Sequence, residues 1–249
     1  MNQKLFASFF SATLLFGCSP NNVKLDSNIS KLLDSAEVQG SFALMENGSG
    51  QFTIANLSNY KDSAVSPLNT FFILPILIAL DKGAINENPK NWVSTDSASF
   101  YQQLMSSFGR EVLMKTIDSI HYGKGVVSTN LNEFWRDQSL RITADEQLGL
   151  IKKMYFKELP FQKRSQEIFK KMISKEDNSN YHLSYIEAAD TLRNISWVVG
   201  YVEENKHIYF FVLNTNTKKT GPSNQMTSKS SVPLLKNILL QQGFLKGLR

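Results

Sequence analysis

The hydrophobic positions of this chain change between strand-like and helix-like spacing in a clear order. Two short strand-like runs, 41–45 and 51–55, flank the turn-rich residues 46–50 and predict a β-hairpin. A second pair, 196–202 and 207–214, is rich in β-branched and aromatic residues and predicts another hairpin. Helical periodicity predicts helices over 97–108, 110–120, 143–158, 164–172 and 233–243. Thr143 and Glu146 match a capping box.

A further helix is predicted from Pro67, and its body over 71–80 is apolar on every side. These ten residues are too few to span a bilayer core of about 30 Å, which predicts a central core helix. Pro75 is expected to kink it. The order of hairpin, helical block, hairpin and helix predicts an α+β fold (an α/β sandwich). In it an antiparallel sheet has N- and C-terminal helices and an all-helical subdomain.

The first residues are typical of an export signal. Lys4 precedes the mainly apolar stretch 5–16, which ends at Gly17-Cys18. A small residue followed by Cys resembles the bacterial lipobox, which implies cleavage before Cys18 and lipidation of its thiol. An ordinary secretory signal with a chance cysteine is the alternative. We therefore expect a signal peptide over 1–17, a polar tether over 18–30 and a lipid-anchored, periplasm-facing protein of the cell envelope.

The rest of the chain, 31–249, is predicted to be one domain, mostly helical over 66–175. The 249 residues carry a formal charge of +5 without clustered Lys and Arg, so no nucleic-acid partner is expected. The single cysteine excludes an intramolecular disulfide, and the three histidines lack zinc-ligand spacing. No phosphate-binding glycine loop is present. We expect no metal and no cofactor.

Seven strings, each weak alone, occur in a consistent order along the chain. They are 66–75 with 79–83, Ser97-Ala-Ser99 with Tyr101-Gln102, Tyr122-Gly-Lys124, Phe134-Trp135 with 140–147, 158–161, 197–203 and 209–214. In this order they resemble the class D β-lactamases, which belong to the penicillin-recognising serine enzymes. The resemblance covers nearly all of the chain after the signal and implies a β-lactamase/transpeptidase-like fold.

The resemblance also implies where the catalytic residues should be. In this family a Ser-x-x-Lys motif supplies a nucleophile and, one helical turn on, the lysine base, which is typically carbamylated in class D. The matching positions are Asn69 and Phe72, which provide neither group. Ser97, Tyr122 and Trp135 keep the family's residue types, either for chemistry or merely for packing.

The opposite wall of the family's pocket carries Lys-Thr-Gly, which is missing from residues 181–190. A gapless comparison puts Ile186, Glu187 and Ala188 there, so Glu187 is expected to repel a substrate carboxylate. Lys229 matches the family's carboxylate-binding arginine, but it lacks the bidentate guanidinium.

These residues support three interpretations. The first is a class D β-lactamase-like pseudoenzyme that has lost both motifs. The second is a weakly active or nominal β-lactamase, and the third is a non-covalent binder of a cell-envelope ligand. The expected ligand is a β-lactam or a cell-wall peptide. A literal Ser-x-x-Lys at Ser58 and Lys61 lies in a predicted polar loop and is interpreted as chance.

Overall fold

The computed structural model describes residues 22–85, 97–124, 133–217 and 230–247. Within them, the strands form one seven-stranded sheet in the order β1-β3-β2-β7-β6-β5-β4. The strands are β1 (Val23–Leu25), β2 (Val38–Glu46), β3 (Phe52–Ala55), β4 (Ser174–Asp177), β5 (Tyr181–Asp190), β6 (Ile195–Glu204) and β7 (His207–Thr217). All neighbouring strands are antiparallel except β1 and β3, which pair in parallel.

The helices lie on both faces of the sheet. They are α1 (Ser27–Ser35), α2 (Leu57–Asp62), α3 (Ile73–Asp81), α4 (Ser97–Ile120), α5 (Ala144–Tyr155), α6 (Lys163–Met172) and α7 (Val232–Gln241). A 3₁₀ helix, Leu68–Phe72, directly precedes α3. The terminal helices α1 and α7 cover one face, and helices α2 to α6 pack on the other. The expected α+β fold class is therefore confirmed.

The central strands are apolar on both faces because both faces are covered. In β6, Trp197 and Val199 face the helical side, whereas Val198 and Val202 face α1 and α7. Gly200 lets β5 approach β6 closely, since a Cβ at this position would lie 2.0 Å from the carbonyl oxygen of Ser184. This close approach fixes the position of β5, which runs beside the 3₁₀ helix.

Most of the predicted elements are present. Strands β2 and β3 form the first hairpin, and β6 and β7 form the second. The two helices expected over 97–120 form α4, which is interrupted at Gly109 with φ of 78°. The capping box of α5 is confirmed: the backbone N–H of Thr143 donates to Glu146 Oε2 at 2.8 Å, and the Glu146 N–H donates to Thr143 Oγ1 at 3.2 Å.

The core helix differs from the prediction at its start. Instead of a single kinked helix, the chain forms the 3₁₀ helix and then α3, so Pro75 lies in the first turn of α3. A proline there loses no hydrogen bond, because the first N–H groups of a helix have no partner within it. The residues expected as a tether are folded from residue 23 onward, into β1 and the start of α1, which Asp26 caps. None of the described helices is long and apolar enough to cross a membrane.

Candidate functional site

The entrance to the 3₁₀ helix is held by hydrogen bonds from three parts of the chain. The indole Nε1 of Trp197, on β6, donates to the carbonyl oxygen of Ser66 at 2.9 Å. The carbonyl oxygen of Trp135 accepts from the hydroxyl of Ser66 and from the backbone N–H of Leu68, the latter at 3.0 Å. Leu68 has a left-handed backbone with φ of 51°, which is costly for a non-glycine residue and persists only where the surroundings impose it.

Asn69 is the only partly exposed residue of the 3₁₀ helix, whose other four residues are buried. Residues three apart in such a helix lie on the same side, so Asn69 and Phe72 share one side of it. The two hydroxyls closest to Asn69 in sequence both donate hydrogen bonds to backbone carbonyls. Ser66 donates to the carbonyl of Trp135, and Thr70 Oγ1 donates to the carbonyl of Pro67 at 2.5 Å. Both side chains are fully buried.

Phe72 is buried, with 7% of its surface exposed, and its neighbours are aromatic. Its ring is stacked on that of Tyr101, with centroids 5.9 Å apart. The ring of Trp135 lies at 5.6 Å, and that of Phe100 lies at 6.0 Å with an edge-to-face orientation. Such ring pairs are favourable beyond the area they bury, so position 72 contributes to the apolar core.

Two rings next to that of Phe72 carry buried polar atoms with no hydrogen-bond partner among the described residues. These atoms are the phenol oxygen of Tyr101 and the indole Nε1 of Trp135. Burial raises the pKa of Tyr101, so this phenol remains protonated. Unpaired buried donors carry a desolvation cost, and they are typical of sites built for a polar group.

Tyr122 is buried next to the same aromatic cluster. Its hydroxyl donates to Gln147 Oε1 at 3.0 Å, and its ring lies 6.0 Å from that of Phe71. Burial raises its pKa. These contacts give Tyr122 a packing role between the 3₁₀ helix and α5.

The prediction that Glu187 faces the cleft is wrong. Side chains alternate along β5: Ala188 packs into the helical-side core, whereas Tyr185 packs under α1 and α7. Glu187 shares the face of Tyr185, and its Oε2 accepts a hydrogen bond from Ser230 at 2.5 Å, just before α7. Ile186 and Ala188 are the members of the compared triplet that face the 3₁₀-helix side. They form an apolar wall.

The other predicted residues are only partly described. The backbone of Ser97 begins α4, but its side chain lies outside the described residues, as do Lys229 and Cys18. Ser58 and Lys61 lie on α2 rather than in a loop, and Lys61 forms an ion pair with Asp145 at 3.0 Å. Among the described residues, no group of His, Cys, Asp and Glu could hold a metal ion.

Sequence reasoning missed two features of this site. Tyr101 was noted only as part of a family string, and nothing in the sequence indicated that its hydroxyl would be unpaired beside Phe72. The left-handed conformation of Leu68 also has no sequence signal, because the contact with Trp135 that imposes it is made across the fold.

Comparison with known proteins agrees with this architecture. A model of the family described as penicillin binding protein transpeptidase domain matches residues 80–240, more than half of the chain. β-Lactamase OXA-48 of Klebsiella pneumoniae is 29% identical over 199 residues, covering 71% of this chain and 75% of that protein. Regulatory protein BlaR1 of Bacillus licheniformis is 26% identical over 214 residues, covering 76% of this chain but 35% of that protein.

The fold agrees as well. The C-terminal domain of the Bacillus licheniformis BlaR penicillin-receptor has a TM-score of 0.74 and 26% sequence identity, covering 89% of this chain and 96% of that domain. The chain therefore belongs to the penicillin binding protein transpeptidase domain family, and within it the chain is class D β-lactamase-like.

Proposed function

We propose that this chain is a non-catalytic member of its family, a pseudoenzyme that keeps the fold without acylation chemistry. The observation that carries the proposal is the burial of Phe72 among Phe100, Tyr101 and Trp135, at the position where the family has its lysine. Asn69, at the position of the serine nucleophile, is the partly exposed residue of the 3₁₀ helix.

Acylation by a serine enzyme requires a hydroxyl oxygen that attacks a carbonyl and a base that accepts the hydroxyl proton. The amide of Asn69 supplies no such oxygen, and the Phe72 ring accepts no proton. Thr70 and Ser66 cannot replace the nucleophile, since both hydroxyls are buried and donate to backbone carbonyls. Losing one member of a catalytic unit costs on the order of 10⁴- to 10⁶-fold in rate, so losing both abolishes useful turnover.

The unpaired polar atoms near Phe72 also support the proposal that a lysine has been lost from this position. A carbamylated lysine at position 72 would offer oxygen acceptors to the indole of Trp135 and the hydroxyl of Tyr101, which have no acceptor in the described part of the chain. Phenylalanine removes the buried charge but leaves these donors without a partner. The apolar wall of Ile186 and Ala188 gives a substrate carboxylate no cation.

The direct test is labelling of purified residues 18–249 with a fluorescent penicillin, followed by denaturing electrophoresis. A working class D β-lactamase serves as the positive control. We expect no covalent band and no hydrolysis of nitrocefin above the buffer rate. A band that excess unlabelled penicillin prevents would contradict the proposal and favour a weakly active β-lactamase.

Non-covalent binding of a β-lactam or a cell-wall peptide is a second candidate function. It is supported by the similarity to the BlaR penicillin-receptor domain. Glu187 gives this candidate no support, because it faces α7. A rise of the thermal midpoint with added penicillin, in the absence of a mass increase, is the expected result for this candidate. An unchanged midpoint at millimolar penicillin would contradict it.

We also propose that the protein is anchored to a membrane through a lipid on Cys18, facing the periplasm. The support is the Gly17-Cys18 sequence directly after an apolar stretch that follows Lys4. Labelled palmitate should enter the wild-type protein but not Cys18→Ser, which should accumulate as a soluble or unprocessed form. Equal labelling of both proteins would contradict this proposal.

A further inference from the structure

A cavity of about 270 Å³ lies between the end of α4, the exposed face of α5 and the segment that follows α5. Its apolar lining comes from Ile120, Tyr122, Leu150 and Leu159. This volume is close to the lower end of the range of small-molecule sites. Neither Asn69 nor Phe72 lines this cavity, although the buried Tyr122 does, and the proposed function does not use it.

The cavity exists because α5 has a glycine where a side chain would fill it. A Cβ added at Gly149 would meet no atom within 4 Å. Apart from proline, glycine is the least favourable residue in a helix interior. No close backbone approach or left-handed φ requires glycine here. The open space above Gly149, called the notch below, therefore has no structural reason in the described part of the fold.

Charged groups of opposite sign flank this notch on the same side of α5. Glu146 lies three residues before Gly149 and Lys153 lies four residues after it, and all three line the cavity. Seven residues of helix separate the two charges by about 10 Å along the axis. Glu146 Oε2 accepts hydrogen bonds from the backbone N–H and from the hydroxyl of Thr143, at 2.8 and 3.0 Å, and these leave Oε1 for another donor.

His121 adds a polar side chain to the lining of the cavity. It directly follows α4 and has a left-handed backbone, φ 53°, which ends the helix in the common way: the Tyr122 N–H donates to the Ile117 carbonyl at 3.0 Å. Its side chain lines the cavity next to Tyr122.

We propose that this cavity binds a small zwitterion with an apolar body, such as an apolar dipeptide or amino acid. The ammonium group meets the Glu146 carboxylate, the carboxylate meets the Lys153 ammonium, and the apolar body fills the notch above Gly149. A ligand with only one charge can pair with only one of the two protein charges, so the site should prefer a ligand that carries both. Lys153 is suited to the carboxylate because it forms no ion pair with any described residue.

The test uses L-leucyl-L-leucine as the probe, with amide chemical-shift titration and calorimetry on the wild-type protein. We expect saturable binding at millimolar concentration, with shifts centred on Gly149. N-acetyl-leucyl-leucine and leucyl-leucine amide, each lacking one charge, should bind at least fivefold more weakly. Free leucine shows whether the site takes an amino acid or a dipeptide. Binding as tight as that of leucyl-leucine assigns the site to an amino acid, and weaker binding assigns it to a dipeptide.

Three variants locate the site. Gly149→Leu fills the notch with a better helix former, so it should keep or raise the thermal midpoint while weakening binding at least tenfold. Glu146→Gln keeps a capping-box residue but should remove the preference for the free ammonium. Lys153→Gln should weaken binding, whereas the adjacent Lys152→Gln, outside the cavity lining, should not. Absence of saturable binding at 20 mM (on the order of the weakest useful affinity), or unchanged binding to Gly149→Leu, would overturn the proposal.

Discussion

The ring of Phe72 is stacked on the ring of Tyr101, with centroids 5.9 Å apart and planes 14° from parallel. Phe72, which we propose stands at the family's lysine position, is thus an integral part of the buried core. The rings of Trp135 and Phe100 complete the aromatic surroundings of Phe72. A lysine at position 72 should therefore lower the stability of the fold.

Phe72→Lys should lower the free energy of unfolding by about 3 kcal/mol or more, because it exchanges buried aromatic area for an amine among three rings. Phe72→Leu is the matched control, and as an apolar substitution it should cost about 1 kcal/mol. Urea unfolding of the two variants and the wild type measures both values. Equal stability of Phe72→Lys and Phe72→Leu would mean that position 72 tolerates a charge.

The cost of Phe72→Lys should also depend on pH. Burial lowers the pKa of the introduced amine below the value of about 10.4 that it has in the unfolded chain. Between these two values the unfolded state binds more protons, so stability relative to wild type rises with pH. The deficit at pH 7 should therefore shrink by pH 9.5. A constant deficit would indicate that the amine reaches solvent.

Trp135→Phe and Trp197→Phe form a matched pair that tests the unpaired indole. Both indoles are fully buried, but only the Nε1 of Trp197 has a described acceptor, the carbonyl of Ser66. Trp197→Phe leaves this carbonyl without its donor, whereas Trp135→Phe removes an unsatisfied group. We expect Trp197→Phe to be more destabilising by about 1–2 kcal/mol. The reverse order in urea unfolding would show that Trp135 Nε1 has a partner in solution.

Asp190 at the end of β5 should make stability fall at low pH. Burial raises its pKa, but hydrogen bonds and charge from Arg193 outweigh burial and hold the pKa below the ordinary 3.8. The contribution is complete above pH 3.8 and is lost as pH falls through the lower, folded-state value. Asp190→Asn should cost about 2 kcal/mol at pH 7, because it removes the 2.7 Å bond with Arg193, and clearly less near pH 2. An equal cost at both pH values would contradict the assignment.

The sequence predicted the parts of this fold that local pattern determines. The apolar run 71–80, the hairpins and the capping box at Thr143 have signals within a few residues. The short strand β4 and helix α2 have no sequence prediction, because four to six mixed residues carry little periodicity. Their conformation depends on pairing with β5 and packing on β2 and β3.

The candidate site could be predicted only where it depends on residue identity. The assignment of Asn69 and Phe72 to the catalytic positions rests on the order of motifs and stays a prediction, whereas the direction of Glu187 has no sequence signal. A comparison of sequence strings does not show on which face of the sheet a side chain lies. Glu187 and Ala188 are neighbours in sequence and point to opposite sides of the sheet. Which side is the cleft depends on how the 3₁₀ helix lies beside β5.

Restoring acylation should need changes at the 3₁₀ helix and also on β5. Asn69→Ser with Phe72→Lys would supply the nucleophile and the amine that we propose are missing, but Ile186 and Ala188 still present an apolar surface to a substrate carboxylate. We expect at most slow acylation of this double variant by penicillin. Adding Ile186→Lys should accelerate acylation at least tenfold, since a cation then lies on the helical side of β5. Burst kinetics with nitrocefin measure the rates, and turnover typical of working enzymes in the double variant would contradict the loss of the second wall.

The central claim is that this protein has the family's fold without its nucleophile. Intact-protein mass spectrometry of residues 18–249 after incubation with excess benzylpenicillin tests it most directly, with Asn69→Ser/Phe72→Lys measured alongside. The account predicts that the wild-type mass stays unchanged, since Asn69 and the buried hydroxyls of Ser66 and Thr70 cannot form an ester. A stoichiometric penicilloyl adduct on the wild-type chain would contradict the account.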